Sequence, residues 1–416
     1  MKAFCTSLIL AAIVTLQAAD PGPAVRAVNA LGLDLQRQTR VMPGNVCLSP
    51  YSIQSALAMT YVGASGATRE EMARVLHYGD ADIGPALARL AEALESTRQA
   101  SETLVKQSKD HGGPNESLQW SVANRLYGQE GYAFRSDFLK QVQRDFGAPL
   151  ETLDFIREAP NAVRRINAWV KQQTRERIRD LIPANGLTED TRLVLVNALH
   201  FKAAWVEEFA ESATEDQPFH LPGGKTVDVP MMQRRDRLGH LAGKGFDAVS
   251  VPFVGGDLHL LLIVPQKRDG LAAVELALTP ETLAACARME RRDVALHLPK
   301  FKLEPPTLDL AEVLQALGMK QAFDLPPGSA NFEGMAPRRP DDYLYISKVF
   351  HKTYLAVDER GAEAAAATAV AMMRATAIQI EPEKPVEVRA DRPFLFALQH
   401  APTGVCLFLG RVNDPR

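Results

Sequence analysis

Apolar and polar positions alternate along this chain with two different periods, which divides it into short strands and amphipathic helices in mixed order. Leu193 to Phe201 (Leu-Val-Leu-Val-Asn-Ala-Leu-His-Phe) is a near-continuous apolar run containing β-branched residues, which predicts a strand buried on both faces. Further strands are predicted at Asn45 to Leu48, stopped by Pro50, and at the alternating runs Ser121 to Leu126 and Leu258 to Pro265. The last two, Asp391 to Phe396 and Leu407 to Val412, read as core. Helical spacing runs through Ile53, Ala56, Leu57 and Met59 and through Phe134 to Phe146. Thr68 with Glu71 three residues on predicts a capping box at another helix, and Pro222-Gly223-Gly224 predicts a hairpin turn. Arg98 to Ser117 is polar, holds Gly112-Gly113-Pro114, and is expected to be a mobile surface insertion.

One stretch fits neither pattern. Glu359 to Ala371 (Glu-Arg-Gly-Ala-Glu-Ala-Ala-Ala-Ala-Thr-Ala-Val-Ala) follows a β-rich segment, Tyr343 to Val357, and precedes a proline-bearing polar stretch ending near Asp391. The high helix propensity of alanine makes a surface helix one reading. With period two, Ala362, Ala364, Ala366, Thr368, Val370 and Met372 share a face without charge, and Glu363 falls on the other. Such a segment can join a sheet without burying an ion, and Gly361, lacking a Cβ, supplies the pivot.

At 416 residues the chain has room for a large core; no Gly/Ser linker or internal repeat divides it, so one large domain over 20–416 is expected. Lys2, the apolar run Leu8 to Leu16 and Gln17-Ala18-Ala19 read as a secretory signal peptide over residues 1–19, too short in its apolar part to span a membrane. The mature protein is then expected to be secreted, extracellular or periplasmic. A formal net charge of −3 offers no basic field for nucleic acid. Beyond Cys5, the cysteines Cys47, Cys286 and Cys406 sit in apolar runs and are expected to be buried thiols rather than a disulfide framework.

Gly63-Ala64-Ser65-Gly66 fails the spacing of a nucleophile elbow, and Phe219 stands where a phosphate loop ending at Gly224-Lys225-Thr226 needs its first glycine. The nine histidines form no His-Glu-x-x-His and the cysteines no Cys-x-x-Cys, so neither a metal nor another cofactor is expected. Arg98, Lys106 and Lys109 interleave with Glu102 and Asp110, the pattern of a solvated face rather than a polyanion site.

Val357 to Thr368 resembles the reactive-loop hinge of inhibitory serpins, and other motifs follow that family's order along nearly the whole chain. They include Asn45 to Leu76, a helix over Ala162 to Ile182 carrying Ile166 to Val170 and Thr174, Leu193 to Phe201 with Lys202 and Trp205, and the two closing strands. The resemblance implies a mixed α/β (α+β) serpin fold, with a large central sheet, further sheets, eight or nine helices and an exposed reactive-centre loop over about 359–385. It implies no catalytic residue of the chain's own, but a hinge at Glu359, Gly361, Ala362, Glu363, Ala364, Ala365, Ala366, Ala367 and Thr368. It also implies a sheet-opening cluster of Ser49, Ser52, Asn197 and His351, with Trp205 beneath the point where the loop joins the sheet; an ordinary satisfied core histidine is the other reading of His351. Counted from Glu359, the scissile bond falls at Ala375-Thr376, or at Arg374-Ala375 if the loop is one residue shorter. The implied activity is suicide inhibition of a serine protease, or of a cysteine protease, by a monomer that polymerises when destabilised. A noninhibitory carrier or chaperone of the same fold is the alternative.

Overall fold

The computed structural model describes residues 22–79, 82–108, 116–148, 150–363 and 384–416. The amino-terminal part builds helices α1 (Gly22–Thr39), α2 (Pro50–Gly63), α3 (Gly66–Val75), α4 (Ile83–Ser108), α5 (Ser136–Phe146) and α6 (Phe155–Gln173). Between them lie strands β1 (Val46–Leu48), β2 (Gln119–Gln129) and β3 (Glu151–Leu153), followed by β4 (Leu193–Ala204). Next come β5 (Glu215–His220), β6 (Thr226–Gly243), β7 (Phe246–Pro252), β8 (Leu258–Pro265), α7 (Leu271–Ala277) and α8 (Pro280–Cys286). The remainder is β9 (Arg291–Pro299), β10 (Phe301–Leu303), β11 (Leu308–Asp309), α9 (Ala311–Ala316), β12 (Ile346–Asp358), β13 (Gly361–Ala362), β14 (Val386–Arg389), β15 (Phe394–His400) and β16 (Val405–Val412).

The strands form two sheets, one in the order β1-β16-β15-β8-β7-β6-β9-β14 with β5 on β6, the other in the order β10-β12-β13-β4-β2-β3 with β11 on β12. At the centre of the second sheet, β4 is buried at every position except the half-buried Lys202, as its apolar run requires. It pairs antiparallel with β2 and parallel with β12, from Leu193 beside Ile346 to His200 beside Tyr354. The largest hydrophobic cluster draws Leu199 and Phe201 from this sheet, Trp205 just beyond β4, and Phe394, Phe396 and Phe408 from the other sheet. On the opposite side, α6 and the segment after it cover the seam between β4 and β12: Ile166, Ile178, Leu181 and Ile182 pack on Val194, Val196, Ala198, Phe350 and Tyr354. Cys47, Cys286 and Cys406 are buried free thiols, and burial pushes Cys47 and Cys286 up to about 12.

Three local expectations are corrected. The polar stretch from Arg98 is helix as far as Ser108, because Thr97 and Ser101 continue the buried stripe of Ile83, Leu87, Leu90 and Leu94 on α4. Small polar side chains can occupy a buried stripe when they are bonded: Thr97 Oγ1 meets His400 Nε2 at 2.9 Å and Ser101 Oγ accepts from Leu118 N at 2.8 Å. Thr68 and Glu71 form no capping box, since Ser65 holds the N-cap of α3. Thr68 Oγ1 instead accepts from Asn331 N at 3.0 Å, and Glu71 Oε2 accepts from Lys320 N and Gln321 N, both at 2.8 Å. The helix expected from Ala162 to Ile182 starts earlier, at Phe155, behind an Asp154 cap, and ends at Gln173; Pro160 and the off-helix Glu158 kink its first turns.

Candidate functional site

The site is built where β12 ends. Asp358 Oδ1 accepts from the N–H groups of Arg360 (2.9 Å) and Gly361 (3.2 Å), a side-chain turn that reverses the chain. Gly361 and Ala362 then come back into the sheet as β13, antiparallel to β12 on one side and to β4 on the other. Ala362 lies opposite Ala203 and Val357 and is fully buried. Only glycine fits at 361: its φ is 153°, and a Cβ there would lie 2.0 Å from the Ala203 carbonyl oxygen.

The root of this turn is tied down from several directions. Trp205, 2 % exposed and stacked on Phe253 at 4.4 Å, donates its indole N–H to Asp358 O at 2.9 Å. Trp205 N donates to Arg360 O, and Phe209 N to Glu359 O, both at 2.9 Å. The Glu359 carboxylate takes Lys300 Nζ at 2.7 Å and Thr214 Oγ1 at 2.9 Å. Burial works to raise its pKa, but the hydrogen bonds from Lys300, its own N–H and Thr214 outweigh burial and hold it below the usual glutamate value.

Glu363 lies on the opposite face from Ala362, as the alternation expects, but that face is covered by the segment following α6 and is not solvent. The carboxylate hydrogen-bonds to His200 Nε2 and forms an ion pair with Arg177, with the Glu363 side chain only 10 % exposed. Ala364, Ala365, Ala366, Ala367 and Thr368, and the scissile-bond candidates Arg374, Ala375 and Thr376, lie outside the described residues.

Lower in the same sheet the structure brings Ser49, Ser52, Asn197 and His351 together. Asn197 stands directly opposite His351 on β12 and Asn124 on β2, so three polar side chains align across three strands. Ser49 N donates to His351 Nε2 at 3.1 Å, which leaves the proton on Nδ1 to be donated to Asn197 Oδ1. Asn197 Nδ2 donates to Ser52 Oγ (2.6 Å) and Asn124 Oδ1 (2.8 Å), and Ser52 Oγ donates to Asn124 Oδ1 at 2.7 Å. Ser49 Oγ caps α2 by accepting from Ser52 N. His351 is fully buried with its pKa pulled down to about 3, so it is neutral here. Sequence reasoning missed Asn124; the signal available was an asparagine, disfavoured in strands, within the alternating run Ser121 to Leu126.

At one end of the sheet two residues of the connecting segment thus lie between β4 and β12, with a neutral polar ladder lower in the same strands. The sequence model described as Serpin (serine protease inhibitor) matches residues 26–415, and the chain belongs to the serpin family. It is 36 % identical over 381 residues to a leukocyte elastase inhibitor of Bos taurus, covering 89 % of this chain and 93 % of that one. Serpin B10 of Otolemur garnettii is 32 % identical, covering 94 % of this chain and 100 % of its own, and an uncharacterized serpin-like protein of Thermococcus kodakarensis is 35 % identical over 95 % and 86 %. Among solved structures, uncleaved ovalbumin superposes with a TM-score of 0.78 at 27 % identity, covering 95 % of this chain and all of that one. Serpin48 of Tenebrio molitor gives 0.76 at 28 %, over 95 % and 98 %. The mixed α/β architecture around a large sheet is therefore the serpin fold. These relatives also correct one expectation: leukocyte elastase inhibitors and serpin B10 are intracellular serpins lacking signal peptides, which overturns the assignment of this chain as secreted. Residues 1–19, read above as a leader, lie outside the described residues.

Proposed function

We propose that this chain inhibits serine-type peptidases as a suicide substrate, within one domain over 20–416. The observation that carries the reading is β13, whose two residues are already paired between β4 and β12 as the start of an added strand. The sequence that follows Glu363, Ala364 to Thr368, has small uncharged side chains that can extend it. A protease that attacks the loop forms an acyl bond to the residue before the cleaved bond. The freed hinge then adds to the sheet between β4 and β12, carrying the acylated protease with it. Stored free energy drives the step: the intact chain is kinetically trapped, and cleavage gives the segment strand hydrogen bonds and packing it could not otherwise reach. Glu359 and Trp205 anchor the hinge, and the Ser49, Ser52, Asn197 and His351 cluster, with Asn124, acts as the gate in the sheet.

The scissile bond is assigned to Ala375-Thr376, with Arg374-Ala375 as the alternative. Alanine suits a small apolar primary pocket, in keeping with relatives named for inhibition of leukocyte elastase, whereas arginine needs a carboxylate in the pocket. Incubation with a panel of serine and cysteine proteases, read on a denaturing gel, tests the assignment. A band at the summed mass of inhibitor and protease supports it; simple loop cleavage with every protease indicates the noninhibitory carrier instead.

A further inference from the structure

The place where the hinge leaves the sheet is an unusual one for a glutamate. Glu363 N still donates to Ala356 O at 3.0 Å, as a strand residue would, yet its φ is 52°, the left-handed region that side chains other than glycine and asparagine avoid. Extending the antiparallel register of β13 on β4 by one residue would place an extended Glu363 beside Lys202. To continue down the sheet the backbone at 363 must therefore change region.

Two side chains hold Glu363 in its present conformation. His200 comes from β4 and is 4 % exposed at its side chain. Arg177 comes from the segment between α6 and β4, and its guanidinium also lies 5.9 Å from the Tyr354 ring of β12. That segment is itself strained, with φ of 49°, 66° and 49° at Arg175, Glu176 and Asp180. It is pinned by Thr174 Oγ1, which accepts from Ile178 N at 3.1 Å, and by paired 2.8 Å hydrogen bonds between Asn167 and Ile182. Its apolar side chains bridge the β4–β12 seam that a longer inserted strand would have to open.

We propose that Arg177 and His200 are positioning residues for loop insertion: they clamp Glu363 at the point of exit and stop the hinge at Ala362. This deepens the inhibitor reading, on which it rests for its purpose but not for its test. In the intact chain the clamp slows spontaneous insertion. After cleavage, breaking it is one of the steps that the released energy drives.

The test uses the full chain with Arg177→Ala, Glu363→Gln, the double variant and Arg177→Lys. The conversion of uncleaved protein to a loop-inserted latent form is timed at one temperature below melting, by native gel and by resistance of the loop to proteolysis. Each single variant is expected to convert about tenfold faster, equivalent to about 1.4 kcal/mol of barrier. The double variant should be no faster than either single one, and Arg177→Lys should stay near the parent. Unchanged or slower conversion, fully additive effects, or a parent that never converts on heating would overturn the clamp. A lower melting temperature without faster conversion would reduce Arg177 to ordinary structural support and also overturn it. A parent that converts but forms no covalent complex with any protease defeats the inhibitor reading and leaves the clamp standing.

Discussion

At His351 a single imidazole satisfies two buried groups at once, the N–H of Ser49 and the amide oxygen of Asn197. Removing it orphans both, and each unsatisfied buried group costs about 1–3 kcal/mol. His351→Ala is therefore expected to lower stability by about 2–6 kcal/mol in urea unfolding and to speed both latency and polymer formation, followed on native gels. A variant that melts early while both rates stay at parental values would leave His351 a core histidine with no gate role. Asn124→Ala should resemble it, because Asn124 completes the same ladder. Ser49, Ser52, Asn197 and His351 were legible only through the resemblance to the serpin family, because no local pattern along the chain says that these four polar side chains meet. The partners of Glu363 were not legible. His200 and Arg177 lie more than 160 residues away in sequence, and period-two reasoning assigns a side chain to a face without saying what covers that face.

At the scale of the element, β13 turns the alternation at 361–363 into opposite expectations for neighbouring substitutions. Ala362→Arg would drive a long cation into a fully buried position between Val357 and Ala203, at a desolvation cost of at least several kcal/mol. That variant is expected to be cut as a substrate, with little covalent complex and no gain in thermal stability on cleavage; normal complex formation would contradict the insertion model. Glu363→Arg would set a cation against Arg177. It should instead speed the conversion of intact protein to the latent form, as loss of the clamp does, and a parental rate would argue against that. Other elements show where pattern reading works and where it stops. The apolar run of β4 was legible because burial on both faces leaves it no polar alternative. The second half of α4 was not, because its inward face carries Thr97 and Ser101, whose fitness for burial depends on hydrogen bonds from Leu118 and His400 that no local pattern displays.

Across the whole molecule, burial leaves several histidines neutral. It pulls His351 down to about 3 and both His259 and His400 to about 4. Each pKa is lower folded than the roughly 6.5 of an unfolded chain, so the unfolded state binds more protons in between. The stability from these groups is full above about pH 6.5 and is lost as pH falls toward 4, at about 1.4 kcal/mol per pH unit for each histidine. The urea midpoint should accordingly fall between pH 7.5 and pH 5; a flat profile over that range would mean that these histidines are charged in the fold.

The trapped state itself is open to direct measurement. The loop of the intact chain is nicked with a protease that forms no covalent complex, and the thermal unfolding of cut and uncut protein is compared. The cut chain is expected to unfold at a clearly higher temperature, as the hinge beyond Ala362 completes a strand between β4 and β12. Equal or lower unfolding temperatures after a verified cut would show that β13 is a static end of the sheet and would contradict insertion as the source of inhibition.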